Sequence, residues 1–164
     1  MAVVVRDQQR LAASQISNSA LVVIGNLGDL KDIHPRFKVE AGNLFANALL
    51  TLAYGKDGFH YAAPTLSSAR LAKGGKSVEV SFADSKGLHV VGKGKKADWF
   101  ELAGDDGVFH KAEGRIMKDG SVLVSSKEVS RPKSVRFAWA DDAWPNLENA
   151  DGLQASCFGA VQVR

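Results

Sequence analysis

The hydrophobic pattern of this 164-residue chain changes its period near residue 60, and that change constrains the fold more than any other feature. Before it, one apolar stripe follows residues 35–54 at the 3.6-residue spacing of an α-helix. After it, apolar and polar residues alternate, as at Val78, Val80 and Phe82. Alternation is typical of half-buried strands. We therefore predict two parts, residues 1–60 and residues 61–164.

The first part predicts a helix, a strand and a second helix. Residues 3–16 suit a helix, and residues 20–24 form a continuous apolar run, typical of a strand buried on both faces in a parallel sheet. The second helix is expected from Pro35 to about Tyr54, because proline suits the first helical position and Gly55 suits the end. The predicted class is an α/β fragment. Its single strand needs neighbours that residues 1–60 do not provide.

The second part predicts an antiparallel all-β sandwich. Turn pairs separate short alternating segments, namely Gly74-Gly75, Asp106-Gly107 and Asp119-Gly120. A glycine after an aspartate favours the tight turns that connect antiparallel strands. Several short strands with such turns are typical of a sandwich.

The composition argues against several classes of partner and cofactor. The net charge is +3, and the densest basic run, residues 93–96, is short and broken by glycine, so we expect no nucleic-acid ligand. No apolar stretch approaches the roughly 20 residues of a membrane span, so we expect no membrane partner. His60, His89 and His110 lack metal-ligand spacing, and Cys157 is the one cysteine. We expect no metal, no cofactor and no internal disulfide.

The stretch GDLKDIHPRFK, residues 28–38, carries the candidate chemistry. His34 precedes Pro35 at the predicted start of the second helix, where the positive end of the helix dipole disfavours the imidazolium cation. A neutral imidazole is what a general base requires. Asp32 or Asp29 could accept the ring N–H and orient it. The alternative is a histidine that hydrogen-bonds the helix end, beside aspartates that favour turns.

The same stretch resembles the late Asp–His block of sialate O-acetylesterases, which belong to the SGNH (GDSL-like) hydrolases. Residues 6–9 (RDQQ) are similar to an upstream helix of that family. Residues 134–140 (SVRFAWA), 146–149 (NLEN) and 152–156 (GLQAS) are similar to its C-terminal signature. The resemblance extends over nearly the whole chain. It implies that residues 1–60 are the end of the hydrolase domain.

This resemblance implies an esterase that removes acetyl groups from a sugar. In that chemistry a serine attacks the acetyl carbonyl and a histidine, here His34, takes its proton. Asp32 or Asp29 would be the orienting acid; the spacing departs from the usual Asp-x-x-His because Lys31 stands at that position. The family's Gly-Gln-Ser-Asn block is not found here. We therefore expect a C-terminal segment that is inactive without a missing N-terminal hydrolase segment, with an acetylated sugar as substrate.

A second hypothesis gives the chain no catalytic role. It would be a β-sandwich that binds carbohydrate or a protein partner. Trp144 lies in a predicted loop and is the candidate for sugar contact. If the apolar strand at residues 20–24 finds no partner, its exposed faces should promote self-association.

Overall fold

The computed structural model describes residues 2–29, 32, 34 and 36–164. Two helices lie in the N-terminal third: α1 (Ala2–Gln15) and α2 (Lys38–Leu52), with a 3-10 turn between them at Gly25–Leu27. Both predicted helices are therefore confirmed, and α2 begins at Lys38; Pro35, its predicted first residue, lies outside the described residues. Neither helix is long and apolar enough, in the part of the chain that is described, to cross a membrane.

Nine strands follow the helices. They are β1 (Thr65–Leu71), β2 (Val78–Ala83), β3 (His89–Val90), β4 (Ala97–Ala103), β5 (Phe109–Ile116), β6 (Val122–Ser125), β7 (Ser134–Phe137), β8 (Leu147–Glu148) and β9 (Phe158–Gln162). Seven of them form one antiparallel sheet in the order β1-β2-β6-β5-β4-β7-β9, and β3 pairs with β8 in a small second sheet.

The large sheet curls until its two edges meet, so it forms a nearly closed barrel. The Leu71 N–H donates to the Arg164 carbonyl at 2.9 Å, and the Arg164 N–H donates to the Ala69 carbonyl at 3.3 Å, joining β1 to the end of β9. Register shifts in β1, β4 and β7 bend the strands. The predicted sandwich is wrong for this reason: one curved sheet encloses the core, where two facing sheets were expected.

The core lies inside this barrel and is built from the inward members of each alternating strand. Val78 and Val80 are completely buried, as the period-two pattern predicted. Four phenylalanines meet at the centre with ring centroids 4.5–6.3 Å apart, in the tilted and edge-on arrangements that aromatic pairs prefer; they are Phe82, Phe100, Phe137 and Phe158. Helix α1 packs beside β9.

The predicted α/β fragment is also wrong. Residues 20–24 form no strand, and the parallel sheet expected around them is not found among the described residues. The run instead crosses the surface of the barrel with its middle residues, 21–23, half-buried, and residues 21–24 line a small cavity with residues 154–157 and Arg6. A continuous apolar run has no periodicity that separates a strand from buried coil. Packing against the barrel buries this run without a strand ladder.

Helix α2 leaves its apolar stripe exposed. Only Ala48 is buried, whereas Phe45 and Leu49 are each 56% exposed and Leu52 is 46% exposed. Two side chains hold the helix to the following coil: Asn47 donates to the His60 carbonyl at 2.9 Å, and Thr51 donates to the Phe59 carbonyl at 3.2 Å. Polar contacts therefore hold helix α2 in place, while most of the apolar area of its stripe faces outwards.

Candidate functional site

His34 and Asp32 form a local pair in the loop before α2. The His34 backbone N–H donates to Asp32 Oδ1 at 2.8 Å, and His34 Nδ1 lies 3.1 Å from the same oxygen. The carboxylate is thus anchored to the backbone of the residue whose ring it contacts. The His34 side chain is 77% exposed and that of Asp32 is 51% exposed. The ring is open to solvent and to any molecule that approaches it.

This contact favours one imidazole nitrogen for proton transfer. A carboxylate oxygen accepts hydrogen bonds, so the Asp32 contact favours the tautomer in which Nδ1 carries the proton. Nε2 then keeps its lone pair and points away from Asp32. A ring held in this tautomer can take a proton at Nε2, and the carboxylate stabilises the resulting cation.

Each of the three other histidines also has its Nδ1 near an acceptor oxygen, so such a contact by itself does not identify a general base. His60 Nδ1 is 3.3 Å from Asp151, His110 Nδ1 is 2.9 Å from Glu128, and His89 Nδ1 is 3.1 Å from the Gly87 carbonyl. In none of these does the same acceptor oxygen also take the histidine's own backbone N–H in the contacts described. The double contact to one oxygen is what distinguishes His34 from them.

Of the other predicted site residues, Asp29 lies in the same loop as His34, whereas Trp144 lies in a separate loop. Asp29 is exposed in the loop before Asp32, and the described imidazole contact is that of Asp32. Trp144 is 41% exposed in the loop between β7 and β8. No group of three or more His, Cys, Asp or Glu side chains that could hold a metal ion occurs within the described ranges.

Cys157 does not have the properties of a nucleophile. It is buried beneath α1, and burial raises the pKa of its thiol. A thiol that is protonated at neutral pH and shielded from solvent is unreactive. The small cavity beside it, about 160 Å³, is lined largely by the apolar run at residues 21–24 and by residues 154–157.

The C-terminal sequence blocks hold the barrel together. The Arg136 guanidinium binds Glu101 through two hydrogen bonds, 2.7 and 2.9 Å. Asn146 and Asp98 exchange backbone and side-chain hydrogen bonds at 3.0 and 3.1 Å. The Gln154 amide donates to the Pro145 carbonyl at 2.9 Å. The residues that carry the sequence resemblance in this region therefore act mainly as cross-links between loops and strands.

Sequence reasoning missed a large groove on the outer face of β4, β5 and β7. Its volume is about 840 Å³, within the usual range for ligand sites. Trp99 and Trp139 line it, together with the Arg136–Glu101 pair. Trp99 is 37% exposed and has a backbone φ of 60°, which is rare for a bulky residue. No sequence pattern indicates that conformation, because it arises where β4 shifts register against β5.

The comparisons with known proteins support a relationship to carbohydrate esterases. No protein-family model and no curated protein matches the chain. Among solved structures, the chain is similar to a novel carbohydrate acetylesterase from Xanthomonas citri, with 33% sequence identity and a TM-score of 0.70. The similarity covers 80% of this chain and 30% of that chain. The predicted relationship to carbohydrate esterases is confirmed at this level, and this chain spans about a third of the acetylesterase's length.

Proposed function

We propose that this chain supplies the general base of a carbohydrate O-acetylesterase, with His34 as the base and Asp32 as its orienting carboxylate. The observation that carries the proposal is the 33% identity to a carbohydrate acetylesterase over 80% of the chain. Asp32 Oδ1 contacts both the backbone N–H and the ring Nδ1 of His34, and these contacts support the two roles. Asp29 is the alternative carboxylate.

The proposed reaction uses a serine, as the sequence resemblance to SGNH hydrolases implies. The serine oxygen attacks the acetyl carbonyl while Nε2 of His34 takes the serine proton. When the tetrahedral intermediate collapses, His34 returns that proton to the departing sugar oxygen and leaves an acetyl-serine. A water then attacks this ester with the same proton relay, and acetate and free serine result. Asp32 stabilises the imidazolium present in both steps.

The serine is proposed to come from polypeptide outside residues 1–164. The exposed stripe of α2, including Phe45, Leu49 and Leu52, supports this idea because three large apolar side chains on one helix favour a packed partner. The same stripe would promote self-association when no partner is present. Helix α2 begins four residues after His34, so the stripe and the proposed base belong to neighbouring segments of the chain.

A chimera tests the proposal. Residues 1–164 replace the matching segment of the Xanthomonas acetylesterase, and acetate release is measured from an O-acetylated sialic acid and from a neutral O-acetylated oligosaccharide. We expect His34→Ala to lower kcat by about 10² to 10⁴, the usual contribution of a general base. Asp32→Asn should cause a smaller loss. Trp144→Ala should raise KM if that indole contacts the sugar.

His60→Ala is the matched control, because His60 is another exposed histidine beside an aspartate. It should leave acetate release unchanged. A folded chimera whose His34→Ala and His60→Ala variants release acetate equally fast would contradict the proposal. Nitrogen-15 NMR of the chain alone checks the pair itself: the proton should be on Nδ1 of His34, and a ring protonated on Nε2 instead would remove the base from its role.

A further inference from the structure

We infer that the groove across β4, β5 and β7 binds a neutral oligosaccharide, with Trp99 as the residue that stacks on a sugar ring. A sugar ring presents apolar C–H faces and polar hydroxyl edges. A site for it therefore needs an aromatic surface beside fixed hydrogen-bonding groups. The groove, about 840 Å³ in volume, offers both.

The backbone holds Trp99 in an unfavourable conformation. Its φ is 60°, and Ala138, the residue that donates its backbone N–H to the Trp99 carbonyl at 2.9 Å, has a φ of 50°. Left-handed backbone is costly for residues other than glycine. Trp99 in β4 and Ala138 after β7 are joined by this hydrogen bond, so two strained backbone conformations lie side by side. Backbone strain of this kind clusters at ligand sites, where it positions a side chain.

Trp139 provides a second, fixed aromatic wall. Its ring packs closely on Gly159: a Cβ atom added to Gly159 would lie 3.0 Å from Cη2 of the Trp139 indole. The indole is half-buried, in contact with the core on one side and with the groove on the other. The groove therefore combines one indole anchored by packing with a second that is more exposed.

The polar groups of the groove are positioned before any ligand arrives. The Arg136 guanidinium is held by two hydrogen bonds to Glu101 and lies 4.1 Å from the centre of the Phe109 ring. Those two bonds use two of its five N–H donors. The remaining donors are held in a fixed plane, where they can reach sugar hydroxyl groups without a further loss of side-chain freedom.

The charges of the groove favour a neutral ligand. Four basic side chains line it: Lys96, Lys111, Lys127 and Arg136. Four acidic side chains balance them: Asp98, Glu101, Glu113 and Glu128. A site for a polyanion needs an excess of positive charge, which this groove lacks. The balance therefore selects a neutral sugar over an acidic polysaccharide or a nucleic acid.

The inference is independent of the esterase chemistry, with which it shares only the expectation of a carbohydrate ligand. Neither His34 nor Trp144 lines the groove. Sugar binding is measured without ester hydrolysis, so each proposal can be refuted by itself. A chimera that releases no acetate says nothing against sugar binding in the groove, and a groove that binds no sugar says nothing against His34 as the base.

The test is titration calorimetry of the full chain with xylohexaose, cellohexaose and mannohexaose, and with heparin as a polyanion. At least one neutral hexasaccharide should bind, with little dependence on salt, and heparin should not. Trp99→Ala should weaken binding by about tenfold or more, as expected for a central aromatic contact. Trp99→Phe, which keeps an aromatic face, should bind within a few-fold of the parent.

Phe59→Ala is the matched control, because Phe59 is 40% exposed, close to the 37% of Trp99, and lies outside the groove. It should bind like the parent. The inference is overturned if none of the three neutral sugars binds, or if a folded Trp99→Ala variant binds as tightly as the parent. It is also overturned if Trp144→Ala abolishes binding while both Trp99 variants keep it.

Discussion

Asn149 joins three segments of the barrel, and its replacement by alanine should destabilise the fold strongly. The side chain is buried, 3% exposed, at the end of β8. Its amide nitrogen donates to the carbonyls of Ala62 and Asp84, both at 3.1 Å. Its Oδ1 accepts the backbone N–H groups of Asp151 and Leu153 at 3.1 and 3.0 Å. One side chain thus connects the coil before β1, the turn after β2 and the loop after β8.

The expected loss follows from these four bonds. A hydrogen bond in a folded protein contributes about 0.5–1.5 kcal/mol net, so four contribute about 2–6 kcal/mol. Water can replace the partner at the exposed residues Asp84 and Asp151, but less easily at the buried Leu153. We therefore expect Asn149→Ala to lower the free energy of unfolding by about 2–4 kcal/mol, a large part of the 5–15 kcal/mol typical of a domain.

Urea unfolding followed by tryptophan fluorescence measures this loss. The midpoint should fall while the slope stays constant, because the surface exposed on unfolding is unchanged. Asn43→Ala, on the exposed face of α2, is the control and should change the free energy by less than about 0.5 kcal/mol. A loss under about 1 kcal/mol for Asn149→Ala would refute the reasoning that these four bonds hold the loops.

Three further predictions concern packing, the thiol and pH. Gly114→Ala should lower the free energy of unfolding in urea by about 1–3 kcal/mol, because the added Cβ would lie 2.9 Å from the buried Phe100 ring. Gly42→Ala is the control and should not destabilise the protein, since no atom lies within 4 Å of its Cβ position. Equal losses for the two variants would contradict this prediction. Cys157 should react with a thiol reagent at pH 8 only as fast as the protein unfolds, because burial raises its pKa; immediate labelling would contradict its burial. The Val3 N–H, which donates to Asp141 at 2.8 Å, lowers the pKa of that carboxyl, so its stabilising effect is complete above about pH 4 and is lost as the pH falls further. Asp141→Asn should therefore lower the Tm at pH 7 but much less at pH 3, and a pH-independent difference would show that the charge has no role.

The sequence predicted those elements whose pattern has a clear period. Both helices lie where the apolar stripe and the N-terminal pattern placed them. The alternation at Val78, Val80 and Phe82 gave the inward face of β2, and Gly75, Gly107 and Gly120 have the positive φ that their turns require. These features depend on neighbours a few residues away, which a sequence displays directly.

What could not be predicted depends on contacts between distant residues. The apolar run at residues 20–24 becomes partly buried coil because residues 138, 145 and 154–157, more than 100 positions later, provide a surface for it. The curvature that turns a sandwich into a barrel arises from register shifts between strands. The position of Trp99 in the groove depends on such a shift in β4. The His34–Asp32 pair could be predicted from the sequence because both residues lie in one short loop.

Chemical rescue tests the role of His34 most directly. In the acetylesterase chimera, the His34→Ala variant should lose most of its acetate release. Added imidazole should restore part of that rate in proportion to its unprotonated fraction, because the small base takes the place of the missing side chain. His34→Ala that releases acetate at the parent rate, or a loss that imidazole does not relieve while substrate still binds, would contradict a proton-transfer role for this histidine.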